Sequence, residues 1–217
     1  MLNFGASECL GSSTRRNDVV EKSTELNQES YGAVIALAGR RVDASDTSPS
    51  RFPLGNVPLV RSRIAALFAE EHTEALVCSA ACGADLLALE EAERLGLRKR
   101  IVLPFSPKRF RETSVIDRPG DWGALYDRLV AATEAYGDLV ILADEDADDD
   151  AAYAAANHAI IREAETLARA TPDRNPLRRI VAIVWEGSAR ELTDASGELL
   201  TLAVQAGFEE RAVLTTN

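Results

Sequence analysis

Residues 75–96, ALVCSAACGADLLALEEAERLG, decide the fold that we predict for this chain. The stretch opens with the apolar run ALVCS and passes through the small residues of ACGAD. It ends in a helical pattern that stops at Gly96, where a glycine is typical of a helix C-terminus. A short buried strand, a tight loop and a helix together form the repeating unit of a parallel α/β sheet.

The same unit recurs along the sequence. Apolar runs at 33–38, 101–105, 138–143 and 179–187 alternate with helical patterns. In the first of these patterns, VPLVRSRIAALFAEEH, apolar residues recur every three or four positions: Val60, Ile64, Leu67 and Phe68. A last apolar run, AVLTT, follows the final helix. The alternation predicts a Rossmann-like, doubly wound, mainly parallel sheet of about six strands with helices on both faces.

Length and composition favour one soluble domain. The chain has 217 residues, and 46% of them are hydrophobic, which is enough to build one core. Residues 1–30 are rich in Ser, Asn, Glu and Thr, and they predict a flexible N-terminal tail before a single domain at 31–217. No signal layout and no apolar run of about 18–20 residues is present, so we expect a cytoplasmic protein without a membrane partner.

The net charge and the few possible metal ligands limit the classes of function that we expect for this chain. A formal net charge of −11 lacks the basic footprint of nucleic-acid binders, so we expect no nucleic-acid partner. Three cysteines and two histidines form neither a disulfide framework nor a zinc pattern. The acidic stretch 144–150 lacks the Gly and the later Glu of a calcium loop. We therefore expect neither a metal nor a cofactor.

The loops at the carboxyl ends of the strands are the candidate binding region, because ligands of open parallel sheets bind there. The arginines after the first strand offer forked donors to a phosphate, although the bland interpretation is a glycine turn with two solvated arginines. The loop of small residues after the second strand exposes backbone N–H groups at a helix N-terminus. The predicted ligand-binding residues are Gly39, Arg40, Arg41, Asp43, Ser79, Ala80, Cys82, Gly83, Ala84, Asp85, Pro104, Phe105, Phe110, Ser114 and Asn157.

Several of these residues have two interpretations. Asp85 either caps its helix or binds ribose hydroxyls. Phe105 and Phe110 either stack on a base or are buried beneath the loop. Cys82 stands at a helix N-terminus, which lowers a thiol pKa, but no histidine is near it in sequence to make it a nucleophile.

The two glycine loops together resemble those of the SLOG superfamily. AGRRVD at 38–43 is similar to the G-x-R turn of the DNA-processing Smf/DprA branch, and VCSAACGADLLALEEAERLG at 77–96 is similar to that branch's second loop. The superfamily also includes the LONELY GUY phosphoribohydrolases and sensor domains of bacterial defence systems. The resemblance spans residues 33–185 and implies a Rossmann-like fold with a nucleotide over the first two loops. It also implies a homodimer.

Three functions follow from these observations. The first is a sensor domain that binds a nucleotide or an NAD- or ADP-ribose-like derivative. The second is an N-glycosidase or phosphoribohydrolase-like enzyme with Asp85, Asp144 or Glu186 as its carboxylate. The pattern P-G-G-x-G-T-x-x-E of the phosphoribohydrolases is absent, and the corresponding loop reads LADEDADDD. The third is a protein-interaction scaffold that works through the tail.

Overall fold

The computed structural model describes residues 32–142, 148–169, 175–187 and 195–216. The predicted tail at 1–30 and most of the acidic stretch, including Asp144, lie outside these residues. The strands are β1 (Ala33–Gly39), β2 (Thr73–Cys78), β3 (Arg98–Leu103), β4 (Leu139–Ile141), β5 (Arg178–Trp185) and β6 (Glu209–Leu214). The helices are α1 (Val57–Glu70), α2 (Ala84–Arg94), α3 (Pro107–Ser114), α4 (Gly123–Ala135), α5 (Asp149–Ala168) and α6 (Ala195–Gln205).

The six strands form one sheet in the order β4-β3-β2-β1-β5-β6. All five strand pairings are parallel. The predicted fold class is therefore confirmed. Each apolar run predicted as a strand overlaps an observed strand, because both faces of a parallel sheet are covered and its strands are apolar throughout.

Two apolar layers enclose the sheet. On one face, alternate strand residues such as Ile35 and Leu37 pack against α1, α2, α3 and α4. On the other face, the intervening residues Val34 and Ala36 pack against α5 and α6. The side-chain alternation of an extended strand divides each apolar run between the two layers.

Helix α5 makes the long crossover of the fold. It leaves β4 at one edge of the sheet, crosses the face opposite to α1–α4, and returns the chain to β5 beside β1. The strand order therefore changes direction between β1 and β5. In open α/β sheets this change of direction opens a crevice at the strand carboxyl ends.

One segment differs from the expectation. Residues 107–114, interpreted as loop, form α3. Ser106 caps this helix, since its hydroxyl accepts a hydrogen bond from the Arg109 N–H at 3.3 Å, and Pro107 occupies the first helical turn. A helix of eight residues is too short to show a clear apolar period. Its Ser-Pro start, however, is typical of a helix N-terminus and could have indicated the helix.

Among the described residues, no helix is long and apolar enough to span a membrane.

Candidate functional site

A cavity of about 550 Å³ lies at the carboxyl ends of the strands. Its walls come from the loops after β1 and β2, from α3 and the residues after it, from α5, and from the start of α6. The cavity lining includes nine of the predicted residues: Gly39, Arg40, Arg41, Asp43, Ser79, Asp85, Phe110, Ser114 and Asn157.

The other six predicted residues are buried and do not line this cavity. They are Ala80, Cys82, Gly83, Ala84, Pro104 and Phe105. All six belong to the loops after β2 and β3 or to the first residue of α2, and four of them, Ala80, Cys82, Ala84 and Phe105, are part of the hydrophobic core.

The two glycine loops pack against each other. Gly83 has a φ of +94°, and a Cβ at this position would lie 2.8 Å from both the Arg40 carbonyl oxygen and the Val42 amide nitrogen. A Cβ on Gly39 would lie 2.6 Å from the side chains of Ala84 and Val184. The bare α-carbon of Gly83 therefore allows the close approach of the first loop, whereas the sequence alone predicts a ligand beside the Gly83 backbone.

Asp43 and Asn157 hold the cavity walls in place. Asp43 accepts hydrogen bonds from the Ser50 hydroxyl and from the backbone N–H groups of Arg51 and Phe52, at 2.6, 3.0 and 3.0 Å, and thereby closes the loop after β1. Asn157 is buried in α5, and its Nδ2 donates to the Ala195 carbonyl at 2.9 Å. The same Nδ2 donates to a Glu198 carboxylate oxygen at 2.7 Å, so Asn157 fixes the first turn of α6.

Arg40 is anchored at the crevice between β1 and β5. Its Nε donates to Glu186 Oε2 at 2.8 Å and its Nη2 donates to Oε1 at 3.3 Å. Both side chains are largely buried, with 13% and 10% of their surface exposed. Burial raises the pKa of Glu186, but the hydrogen bond from Arg40, a backbone hydrogen bond and the charges of Arg40 and Arg51 together outweigh burial and hold that pKa below its usual value. Glu186 is thereby ionised and paired, and it is not among the cavity-lining residues.

Two of the other three cavity arginines, Arg41 and Arg118, are bonded to Asp117. Arg41 donates from Nη1 to both carboxylate oxygens of Asp117, at 3.0 and 2.8 Å, and to the Thr113 carbonyl at 3.1 Å. Arg118 donates to Asp117 Oδ2 at 3.3 Å. Arg51 also lines the cavity, and its guanidinium has no ion-pair partner among the residues that the structure describes.

Asp85 places a buried carboxyl group in the cavity wall. Its Oδ2 accepts a hydrogen bond from the Ala81 N–H at 3.2 Å, and Oδ1 has no hydrogen-bond partner among the described residues. Burial raises the pKa of Asp85 to about 7, although the Ala81 N–H and the charge of Arg41 act in the opposite direction. Asp85 lies in the first turn of α2 but bonds backward to the preceding loop, so it ties that loop to the helix and does not cap the helix.

The aromatic residues occupy two places. Phe110 is buried and stacks on Tyr126 with ring centroids 6.2 Å apart, so its ring already has an intramolecular partner. Phe105 packs edge-on against Tyr153 at 5.5 Å and lies under the Arg109 guanidinium. Tyr153 is half-buried, lines the cavity, and shares a 2.7 Å hydrogen bond with the Ser114 hydroxyl.

The thiol of Cys82 has an environment opposite to the one that its position in the sequence indicated. Burial raises its pKa to about 12, although the nearby charge of Arg41 acts to lower it. The side chain is fully buried and does not line the cavity. Desolvation therefore dominates over the helix N-terminus, and the thiolate that a nucleophile requires is not formed.

Sequence reasoning missed several cavity residues, of which three carry polar or aromatic groups of interest. Arg51 and Arg118 lie in irregular segments with no periodic signal. Tyr153 lies in the first turns of an alanine-rich helix. The position of Tyr153 in the sequence could have identified it as a cavity residue. It lies near the start of the helix that follows β4, and the amino end of such a helix faces the carboxyl ends of the strands.

Comparison with known proteins gives one similar solved structure to report. It is the X-ray structure of DNA processing protein A (DprA) from Streptococcus pneumoniae, which is 13% identical in sequence with a TM-score of 0.37. The match covers 85% of this chain and 59% of that chain, so the present chain spans less than two thirds of the neighbour's length. No family model and no curated protein matches the sequence.

This comparison corrects one expectation. The net charge led us to exclude nucleic acid as a partner, but the similar structure is that of a protein named for DNA processing. We withdraw the exclusion of nucleic acid, because an acidic total charge does not describe the local charge of a surface or a cavity.

Proposed function

We propose that the cavity binds a nucleotide or a nucleotide derivative of the NAD or ADP-ribose type, and that this domain acts as a sensor of that ligand. One observation carries the proposal: four arginines, Arg40, Arg41, Arg51 and Arg118, line a cavity at the point where the strand order changes direction. Guanidinium groups present paired donors that match the oxygens of phosphate.

The charge of the cavity supports an anionic ligand. Its lining contains four arginines but only two carboxylic acids, Asp43 and Asp85, in a chain whose net charge is −11. Asp43 is occupied by three hydrogen bonds within its loop. Arg40 is paired with Glu186, and Arg41 and Arg118 share the single carboxylate of Asp117. The positive charge of the cavity therefore comes mainly from Arg51 and from the two arginines that share one carboxylate, and walls of low dielectric strengthen its attraction for an anion.

The remaining lining suits a nucleoside. The unpartnered Oδ1 of Asp85 is an acceptor for a ribose hydroxyl. The Tyr153 ring offers a surface on which a base can stack. A volume of about 550 Å³ lies within the usual range of small-molecule sites, which is about 300–1,000 Å³.

Thermal-shift binding across a nucleotide panel tests the proposal. The panel contains AMP, ADP-ribose, NAD, cyclic ADP-ribose isomers and cyclic dinucleotides. We expect at least one compound to raise the melting temperature of the parent protein, and we expect Arg41→Ala and Arg51→Ala to reduce that shift. Arg162→Ala on the exposed side of α5 is the matched control and should keep it. An unshifted parent protein across the whole panel at millimolar concentration contradicts the proposal.

Hydrolysis of an N-glycosidic bond is the second candidate function, and Asp85 favours it. A buried carboxyl group with a pKa of about 7 is suited to exchange protons with a substrate at neutral pH. Mass spectrometry of each binding compound after incubation decides between the two functions. Intact ligand supports the sensor, whereas free base and sugar phosphate that disappear in Asp85→Asn support the enzyme.

A further inference from the structure

The two carboxyl oxygens of Asp85 differ in their hydrogen bonding. Oδ2 is held by the Ala81 N–H at 3.2 Å, which fixes the orientation of the carboxyl group. Oδ1 is buried without a hydrogen-bond partner among the described residues, and the residue as a whole is only 6% exposed. A buried acceptor without a partner is costly, and the cost is removed when a donor arrives. Since Asp85 lines the cavity, a bound ligand is the donor that the site is placed to receive.

The charged groups around Asp85 leave it without direct neutralisation. Arg41, from the loop after β1, is the cation that acts on it, but the Arg41 guanidinium is bonded to Asp117 and Thr113. On its own side, the neighbouring titratable groups are the buried thiols of Cys78 and Cys82. The other charged or titratable groups of the cavity lining are Arg40, Asp43, Arg51, Arg118 and Tyr153. Among the described residues none of these donates a hydrogen bond to Asp85, so burial decides its protonation.

We propose that a ligand hydroxyl bound at Asp85 displaces the carboxyl proton, so that ligand binding in this cavity is coupled to pH. This inference rests on the proposed function, and it states that the protein releases one proton when the ligand binds. The ligand-free carboxylic acid, with its Oδ1 unpaired, becomes a carboxylate that accepts the hydroxyl hydrogen, and one proton passes to solvent. A hydrogen bond to the charged form favours ionisation, and this coupling strengthens ligand binding as the pH rises.

A ligand acceptor at Oδ1, in place of a hydroxyl donor, would reverse the direction of proton exchange on binding. A phosphate oxygen placed against Oδ1 would require the protonated acid as donor, and binding would then take up a proton. The four cavity arginines provide the sites for phosphate, which leaves Asp85 to the hydroxyl groups. Proton release is therefore the outcome that this arrangement predicts.

Titration calorimetry with ADP-ribose as the probe tests the coupling. Its phosphates are diesters and do not titrate near neutral pH, so a proton exchanged in that range comes from the protein. Binding enthalpies measured at pH 6.5 in PIPES and in imidazole buffer give the number of protons released, because the two buffers differ in enthalpy of ionisation. The variants are Asp85→Asn and, as a matched control on the exposed surface, Asp121→Asn.

We expect between half a proton and one proton to be released by the parent protein and by Asp121→Asn, and none by Asp85→Asn. We also expect the parent affinity to rise up to tenfold per pH unit below neutrality and to level off above pH 7.5, with a flat profile for Asp85→Asn. Binding without proton exchange, or with proton uptake, overturns the inference and leaves the proposed function standing. A carboxyl ¹³C titration of the ligand-free protein tests it independently: an Asp85 resonance that titrates near pH 4 overturns it even when ADP-ribose does not bind.

Discussion

The pH dependence of stability in Asp85→Asn tests the physical account of the cavity without any ligand. The pKa of Asp85 is about 7 in the folded protein, and an aspartate in an unfolded chain has a pKa of about 3.9. A folded-state pKa above the unfolded value means that the folded protein holds its proton more tightly. The stability that this proton contributes is complete at low pH, and it is lost as the pH rises through the folded-state pKa.

The magnitude follows from the same two values. From pH 5 to the folded-state pKa is about two units, and each unit corresponds to about 1.4 kcal/mol, so the loss from pH 5 to pH 8.5 is roughly 3 kcal/mol. The asparagine variant keeps the acceptor for the Ala81 N–H but places an unpartnered NH₂ group at Oδ1, at a pH-independent cost of about 1–3 kcal/mol.

Urea unfolding at pH 5 and pH 8.5 provides the assay. We expect Asp85→Asn to be less stable than the parent at pH 5, and the difference to close or reverse at pH 8.5. The free energies of unfolding of the two proteins should thus converge by roughly 3 kcal/mol across this range. The free energy of unfolding of Asp121→Asn should change with pH in the same way as that of the parent protein. Parallel curves for Asp85→Asn as well would refute the account, because they would show that Asp85 has an ordinary pKa.

Three further predictions concern the residues around the cavity. Gly83→Ala should lower the free energy of unfolding by about 2 kcal/mol or more in urea titrations, because a Cβ meets the backbone of the first loop at 2.8 Å and φ is +94°; an unchanged midpoint would contradict the packing of the two loops. Glu186→Ala should cost about 1.5–3 kcal/mol, since it removes a charged hydrogen-bond partner of the largely buried Arg40 guanidinium, and Glu186→Gln should cost less; equal losses in both variants would show that the ion pair is not the cause. In a Cys9→Ser background, Cys78 and Cys82 should resist a thiol-disulfide reagent at pH 8 until urea is added, because both are buried and their pKa values are raised; rapid labelling of the native protein would contradict their burial.

The fold was predictable because its signal is distributed over the whole chain. Five alternating strand and helix patterns agree with one another, and an error of a few residues at any boundary does not change the architecture. The periodic face of α1 at Val60, Ile64, Leu67 and Phe68 is buried as predicted. By contrast, α3 was missed since eight residues carry too short a pattern to outweigh the loop composition around them.

The cavity was only partly predictable, and the reason lies in side-chain direction. The rule that ligands bind at strand carboxyl ends identifies the correct loops, but it does not separate residues that line a cavity from those that pack beneath it. Ser79 and Asp85 line the cavity, whereas Cys82 in the same loop is fully buried and Gly83 packs against the loop after β1. Arg118 joins the cavity through tertiary folding alone, and the contact of Arg41 with Asp117, 76 positions along the chain, becomes apparent only in three dimensions.

The carboxylate shared by Arg41 and Arg118 has a thermodynamic consequence for recognition. Asp117 is bonded to both guanidinium groups, which restricts their side chains before any anion arrives. Immobilising such a side chain on binding costs about 0.5–1.5 kcal/mol, and this entropy is already lost in the ligand-free protein. The same carboxylate competes with an incoming phosphate for the donors. This competition lowers the affinity for every anion but favours some anions over others. An anion that contacts both arginines at once can displace Asp117 from their donors, whereas an anion that contacts a single arginine cannot.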